Sequence, residues 1–93
     1  LILLAAAALL PADVRLPAVI SDHMLLQRDR PVKIWGWADP GESVNVRFAG
    51  QSVSTTASEL GRWLVTLKPL TVAPPQDLTV AGKNTLTVRD VLV

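Results

Sequence analysis

Three adjacent residues of this sequence, Ser21, Asp22 and His23, are the types that make up the catalytic triad of a serine hydrolase. In a triad the histidine takes the proton of the serine, and the aspartate orients the histidine. Adjacent residues cannot line up in that order, because triads are assembled in space from distant parts of a chain. We therefore predict a structural role, in which Ser21 or Asp22 closes a turn through its side chain and His23 lies in a loop or an interface.

A second candidate site is the pair of tryptophans Trp35 and Trp37, which lie two residues apart. Side chains alternate across a β-strand, so both indoles are predicted to share one face with Lys33. The opposite face then takes Val32, Ile34, Gly36 and Ala38. Two indoles on one face could bind sugar rings by stacking; alternatively, one fills the core, or both cover a contact with a neighbouring domain. Gly36 between them predicts the close approach of another backbone or side chain.

Other kinds of site have little support in the sequence. It contains one histidine and no cysteine, its carboxylates lack the spacing of a calcium loop, and no glycine-rich phosphate loop occurs. We therefore predict no metal site, no cofactor and no catalytic residue within these 93 residues. A formal net charge of +1 offers no basic field for nucleic acid or for an anionic membrane surface, so neither is an expected partner.

Residues 1–12 form a block without charge, and the first ten are all apolar. This length suits the apolar region of a secretory signal peptide and is short of the roughly 18 residues that a membrane span needs. We interpret the block as a signal-peptide remnant that is cleaved between Ala8 and Asp13. A buried apolar strand or helix and an uncleaved anchor are the alternatives. An exported domain without cysteine depends on its hydrophobic core, which suits the bacterial periplasm better than a cysteine-dense extracellular module, and we expect a periplasmic or secreted protein.

From Asp13 onward, apolar and polar residues alternate with period two, and turn residues interrupt the pattern at short intervals, which is typical of an all-β fold. About seven short strands are predicted, near Leu25 and at 32–38, 43–48, 51–57, 62–67, 77–81 and 84–90. This count predicts an immunoglobulin-like β-sandwich of antiparallel strands over residues 13–93, without the cysteine pair of antibody domains.

Turn chemistry separates the predicted strands. Asp39 to Glu42 contains proline, which is preset for the second turn position, followed by glycine, which accepts positive φ, so a tight turn is predicted there. Further connections are predicted at 49–51, 59–62 and 81–84. The two prolines within 72–77 cannot donate to a strand ladder, so that segment is predicted to be a loop or an edge crossing.

The order of these motifs resembles the amino-terminal region of bacterial sialate O-acetylesterases, which are esterases of the SGNH hydrolase type. The resemblance is carried by the runs 13–18, 21–28, 31–32 and 35–42, and by the shorter runs 61–63, 78–80, 84–86 and 90–93. It therefore covers essentially the whole chain after the apolar block.

The resemblance implies a parent enzyme that removes acetyl groups from sialic acid or from other acetylated sugars by means of a serine nucleophile. In this family the serine lies in a glycine-glutamine-serine-asparagine motif, and that motif does not occur in this sequence. Ser21 and His23 do not match the family's catalytic residues. We therefore expect residues 13–93 to be an inactive accessory domain that packs on the catalytic domain of the same polypeptide. A stand-alone carbohydrate-binding module that uses Trp35 and Trp37 is the alternative.

Overall fold

The computed structural model describes residues 13–93, which form six β-strands. The strands are β1 (Val32–Trp37), β2 (Ser43–Phe48), β3 (Gln51–Thr56), β4 (Arg62–Leu67), β5 (Gln76–Ala81) and β6 (Thr85–Val91). Over this range the structure contains no α-helix, and therefore none long and apolar enough to span a membrane. The predicted leader, residues 1–12, lies outside the described residues.

The six strands belong to two antiparallel sheets. One sheet pairs β1 with β4, and the other has the strand order β3-β2-β5-β6. Alternate side chains of both sheets are buried in one hydrophobic core, which includes Val44, Val46, Phe48, Trp63, Val65, Leu67, Leu78 and Val80. The prediction of an all-β sandwich is confirmed, and each of these six strands begins and ends within one residue of its predicted bounds.

The seventh predicted strand, near Leu25, is wrong. Leu25 forms only an isolated parallel bridge with Leu92, supported by a 2.7 Å bond from the Leu26 N–H to the Leu92 carbonyl. His23 and Asp29 flank this segment, and their φ angles are 65° and 64°. Positive φ takes the backbone out of the extended region, so pairing with β6 does not continue in either direction.

The predicted turns are confirmed where the sequence placed proline and glycine. The Glu42 N–H donates to the Asp39 carbonyl at 2.9 Å, and Gly41 between them has a φ of 79°. Strands β2 and β3 are joined by Ala49 and Gly50, both with positive φ, a geometry that matches the twist of the paired strands. Turns also occupy the predicted connections 59–62 and 81–84.

The segment before β1 ties the two sheets together. The Val14 N–H donates to Oδ1 of Asn84 at 2.8 Å, and the Asn84 side-chain amide donates to the Val14 carbonyl at 3.3 Å. The next residue, Arg15, exchanges two backbone hydrogen bonds of 2.9 Å with Trp37. Asn84 lies between β5 and β6 of one sheet, and Trp37 ends β1 of the other. Two consecutive residues therefore connect both sheets.

A buried carboxylate joins two turns at the same end of the fold. Oε1 of Glu42 accepts the Asp39 N–H at 2.9 Å, and Oε2 accepts the Lys83 N–H at 2.6 Å. The Lys83 ammonium also pairs with the Asp39 carboxylate. This hydrogen bond to Asp39 is the main reason why the pKa of Lys83 lies above its usual value of 10.5.

The raised pKa of Lys83 predicts an alkaline loss of stability. Because the pKa is higher in the folded state, the ion pair stabilises the fold fully below pH 10.5 and is lost as the pH rises through the folded value. The sequence has no tyrosine or cysteine, so lysines are the side chains that titrate in this range. We expect Lys83→Met to flatten the decline of the urea midpoint above that pH. Lys68→Met, at another exposed lysine, is expected to decline like the wild type, and identical slopes in all three proteins would contradict the assignment.

Candidate functional site

Both predicted site tryptophans lie on the outer face of the two-stranded sheet. Trp35 is 40% exposed and Trp37 is half-buried, whereas Ile34 on the opposite face of β1 is 1% exposed. The predicted division of β1 into two faces is therefore confirmed. The alternative that one of these two indoles fills the core is wrong, because the core position is taken by Trp63, which is 3% exposed.

Strand β4 completes this outer face. Trp35 pairs with Leu64 across the sheet, and Trp37 pairs with Arg62. Leu64 is 50% exposed, although its position in the alternating pattern is a polar one. An exposed indole beside an exposed leucine forms an apolar surface next to a cationic side chain.

These side chains form one wall of an open cleft of about 670 Å³, which we name the outer cleft. The second wall comes from the end of β3 and the loop after it. The outer cleft is lined by Trp35, Gly36, Trp37, Thr55, Thr56, Ser58, Arg62, Trp63 and Leu64. It therefore combines aromatic and apolar surface with hydroxyl groups and one guanidinium, a composition suited to a ligand that has both apolar faces and polar groups.

The backbone of Arg62 is fixed from two directions by Ser58. The Ser58 N–H donates to the Arg62 carbonyl at 2.8 Å, and the Arg62 N–H donates to Oγ of Ser58 at 3.3 Å. Among residues 13–93 no carboxylate lies within ion-pair distance of the Arg62 guanidinium. The Arg62 backbone is therefore held in place, and its guanidinium can pair with an external anion.

The two tryptophans of the outer face differ in their surroundings. The guanidinium of Arg15 lies over the Trp37 ring, 5.9 Å from the ring centroid, which is cation–π geometry. Trp37 is therefore partly engaged within the domain. Trp35 is the more exposed indole and offers the larger free aromatic surface.

Gly36 places the strand close to the core indole. A Cβ atom at Gly36 would overlap the Arg15 carbonyl oxygen and lie 2.9 Å from Cζ2 of Trp63. The Trp63 indole N–H donates to the Trp37 carbonyl at 3.1 Å across this gap. The close approach predicted for Gly36 is confirmed, and it involves both a backbone and a side chain.

A comparison with solved structures finds a carbohydrate acetylesterase from Xanthomonas citri. The two share 38% sequence identity and superpose with a TM-score of 0.84 over 86% of this chain. The chain spans 19% of that esterase's length, so the likeness concerns a small part of a much larger protein. No protein-family model matches the sequence, and none of the curated proteins does.

Asp22 and His23 are bonded to strand β6, and Ser21 closes a local turn. The Met24 N–H closes a turn on the Ser21 carbonyl at 3.1 Å, and the His23 N–H donates to the Arg89 carbonyl at 2.8 Å. Oδ1 of Asp22 accepts the Arg89 N–H at 2.8 Å. His23 lies in a turn outside the strands, as predicted, but the predicted side-chain closure of a turn is wrong, because the turn uses the Ser21 backbone carbonyl and the Asp22 side chain bonds a distant strand.

The imidazole of His23 faces a different carboxylate from the one next to it in sequence. Its Nδ1 lies 3.5 Å from Oδ2 of Asp90, and both side chains are mostly exposed. Asp22 therefore does not orient His23 as a triad would require. Among the described residues, no group of three or more histidine, aspartate or glutamate side chains is placed to hold a metal ion.

The bond between Asp22 and Arg89 predicts a loss of stability on mutation. Asp22→Ala removes the acceptor of the Arg89 N–H, and we expect the free energy of unfolding to fall by about 1 kcal/mol. Asp22→Asn keeps an oxygen at the same position and is expected to lose less. Ser21→Ala is the matched control, since only the backbone of Ser21 is used. Urea unfolding followed by circular dichroism measures all three, and an unchanged midpoint for Asp22→Ala would contradict the assignment.

Sequence reasoning missed Arg62, the hydroxyl side chains and the pairing of Leu64 with Trp35. Leu64 carried a signal, because an apolar residue stands at an outward position of β4. The partner strand of β1 has no local signature in the sequence, since pairing between β1 and β4 joins residues that are far apart in the chain. The aromatic half of the outer cleft was therefore predictable and the polar half was not.

Proposed function

We propose that residues 13–93 are the amino-terminal accessory β-sandwich domain of a carbohydrate acetylesterase. The observation that carries the proposal is the TM-score of 0.84 at 38% identity to a segment that makes up 19% of the X. citri enzyme. The parent reaction would be attack by an activated serine on an acetyl carbonyl, stabilisation of the oxyanion and hydrolysis of the acyl-enzyme. That serine would lie in the catalytic domain of the same polypeptide.

We further propose that the parent enzyme is of the sialate O-acetylesterase type. The support is the resemblance of the ordered runs between residues 13 and 42, among them 21–28 and 35–42. Acetyl groups on sialic acid or on other acetylated sugars would be the substrate. The uncharged block at residues 1–12 supports export to the periplasm or secretion, with the domain free of the membrane after cleavage.

A second apolar surface suits contact with the catalytic domain. Leu25 and Leu92 pair in an isolated parallel bridge, so their side chains share a face, and they are 71% and 43% exposed. Polar side chains lie close by in sequence, including Asp22, His23 and Asp90. An apolar patch with a polar rim is the usual composition of a protein contact. We assign the Leu25–Leu92 patch to this contact.

Replacement of the matching segment in the X. citri esterase tests the accessory role. An esterase that lacks the segment is expected to lose thermal stability and acetate release, and grafting residues 13–93 in its place is expected to restore both. An esterase that works equally well without the segment would contradict the role.

In the chimera, Leu25→Lys and Leu92→Lys are expected to lower the melting temperature, with Leu60→Lys as the control at another exposed leucine. An unchanged melting temperature would contradict the assignment of this contact to the Leu25–Leu92 patch.

The second candidate is a stand-alone carbohydrate-binding module that uses Trp35 and Trp37. The observation in its favour is that both indoles lie on the outer face and line the outer cleft rather than the core. It differs from the accessory role in one measurable respect. A stand-alone module would not restore stability or acetate release to an esterase that lacks the matching segment, whereas an accessory domain would.

A further inference from the structure

The charged side chains on the outer face of β1 and β4 are all cationic. Outward positions of β1 and β4 include two cations, Lys33 and Arg62, and no carboxylate. Arg62 is the single charged residue that lines the cleft within residues 13–93, and no described carboxylate is within ion-pair distance of it. An arginine fork presents paired donors that fit a carboxylate in bidentate geometry. The cleft is therefore complementary to an anion.

The position of Arg62 relative to Trp35 defines the size of the ligand. Arg62 is the cross-strand partner of Trp37, so it is a diagonal neighbour of Trp35 on the same face. Diagonal neighbours in an antiparallel pair lie about 7 to 8 Å apart, within reach of long side chains. One pyranose ring stacked on the indole would bring a carboxylate on its C5 or C6 position toward the guanidinium.

The size of the cleft and its hydroxyl-bearing residues suit a sugar. The volume of about 670 Å³ lies in the range of small-ligand sites. Thr55 and Thr56 on the facing wall are consecutive residues of β3, so one of their two hydroxyls can face the cleft and exchange hydrogen bonds with a sugar hydroxyl.

We propose that the outer cleft binds a carboxylate-bearing sugar residue of a glycan. The C–H face of the ring stacks on the Trp35 indole, whose π-face is electron-rich, and the carboxylate pairs with the Arg62 guanidinium. This site goes beyond the proposed esterase role, because it is a non-catalytic contact that selects an acidic glycan through charge. For the alternative of a stand-alone binding module, the site assigns different roles to the two tryptophans. The sugar ring stacks on Trp35, and the Trp37 ring is held by Arg15.

Titration calorimetry on the full 93-residue chain tests the site. The probes are an oligogalacturonate, the same oligosaccharide with its carboxylates methyl-esterified, and a neutral galacto-oligosaccharide. We expect saturable binding of the acid, about tenfold or more weaker binding of the ester, and a similar loss for the neutral sugar, as expected for one charge-assisted hydrogen bond. Added salt is expected to weaken binding of the acid alone.

Two variants with matched controls test the roles of Arg62 and Trp35 in binding. Arg62→Gln is expected to weaken binding of the acid about tenfold and to remove the preference over the ester, and Trp35→Ala is expected to weaken all binding about tenfold. Arg30→Gln and Leu60→Ala change an exposed arginine and an exposed leucine that do not line the cleft, and are expected to bind like the wild type. Urea midpoints of the variants verify that folding is unaffected.

Three results would overturn the inference: equal affinity for acid and ester, unchanged affinity in Arg62→Gln, or no binding of any oligosaccharide. In the third case, a lower melting temperature of the chimeric esterase on Trp35→Ala would identify the cleft as a contact between domains. The accessory role is measured separately by acetate release from the chimera. Failure of glycan binding therefore leaves the esterase proposal standing, and failure of the chimera leaves the glycan site standing.

Discussion

Gly36→Ala is expected to lower the free energy of unfolding by about 3 kcal/mol or more, the upper range for overpacking a closed site. The added methyl group would overlap the Arg15 carbonyl oxygen and press on the Trp63 indole at 2.9 Å. Neither neighbour can withdraw freely. The Arg15 carbonyl accepts the Trp37 N–H, and Trp63 is packed in the core. Urea unfolding followed by far-UV circular dichroism measures the loss.

Gly50→Ala is the matched control for this substitution. Gly50 has a φ of 79° and nothing within 4 Å of an added Cβ, so alanine there meets backbone strain but no collision. That strain costs about 1 to 2 kcal/mol. If Gly36→Ala were no more destabilising than Gly50→Ala, the contact of Gly36 with Arg15 and Trp63 could not be as close as described.

Trp63→Ala has the second large expected effect. The side chain is 3% exposed and lies in the core, so its removal leaves a cavity the size of an indole. We expect a loss of about 3 to 5 kcal/mol, the usual range for buried aromatic residues. Trp63→Phe keeps most of the volume and loses the hydrogen bond to the Trp37 carbonyl, which still accepts the Arg15 N–H. The expected loss is then about 1 to 2 kcal/mol.

The matched control is Trp35→Ala on the outer face of the same sheet. Because Trp35 is 40% exposed and faces away from the core, its removal is expected to change the free energy of unfolding by about 1 kcal/mol or less. The comparison between Trp63→Ala and Trp35→Ala separates the core indole from the surface indole. Equal losses would contradict the assignment of Trp63 to the core face and of Trp35 to the outer face.

The strands and turns were predictable because their causes are local. Val44 and Val46 alternate with polar neighbours, so the period of two reports directly which side of β2 is buried. Gly41 and Gly50 sit where positive φ is required, and Pro40 fixes the start of its turn. The faces of Trp35 and Trp37 followed from the same alternation. All of these depend on residues within a few positions of each other.

What the sequence left open depends on contacts between distant residues. Asn84 bonds Val14 across 70 positions, and no local pattern distinguishes that amide from one exposed to water. The partner of Trp35 became known only with the pairing of β1 and β4. The segment around Leu25 has the composition of a strand, but positive φ at His23 limits its pairing to one bridge.

Strand β6 lies at an edge of its sheet, and an open edge is a template for pairing with another molecule. Residues 22–26 occupy that edge through their bonds to Arg89 and Leu92. A bulge interrupts the strand as well, since Arg89 and Asp90 stand opposite the single residue Asp77. The segment that contains Asp22 and His23, two of the three residue types of a catalytic triad, therefore protects the domain against edge-to-edge aggregation.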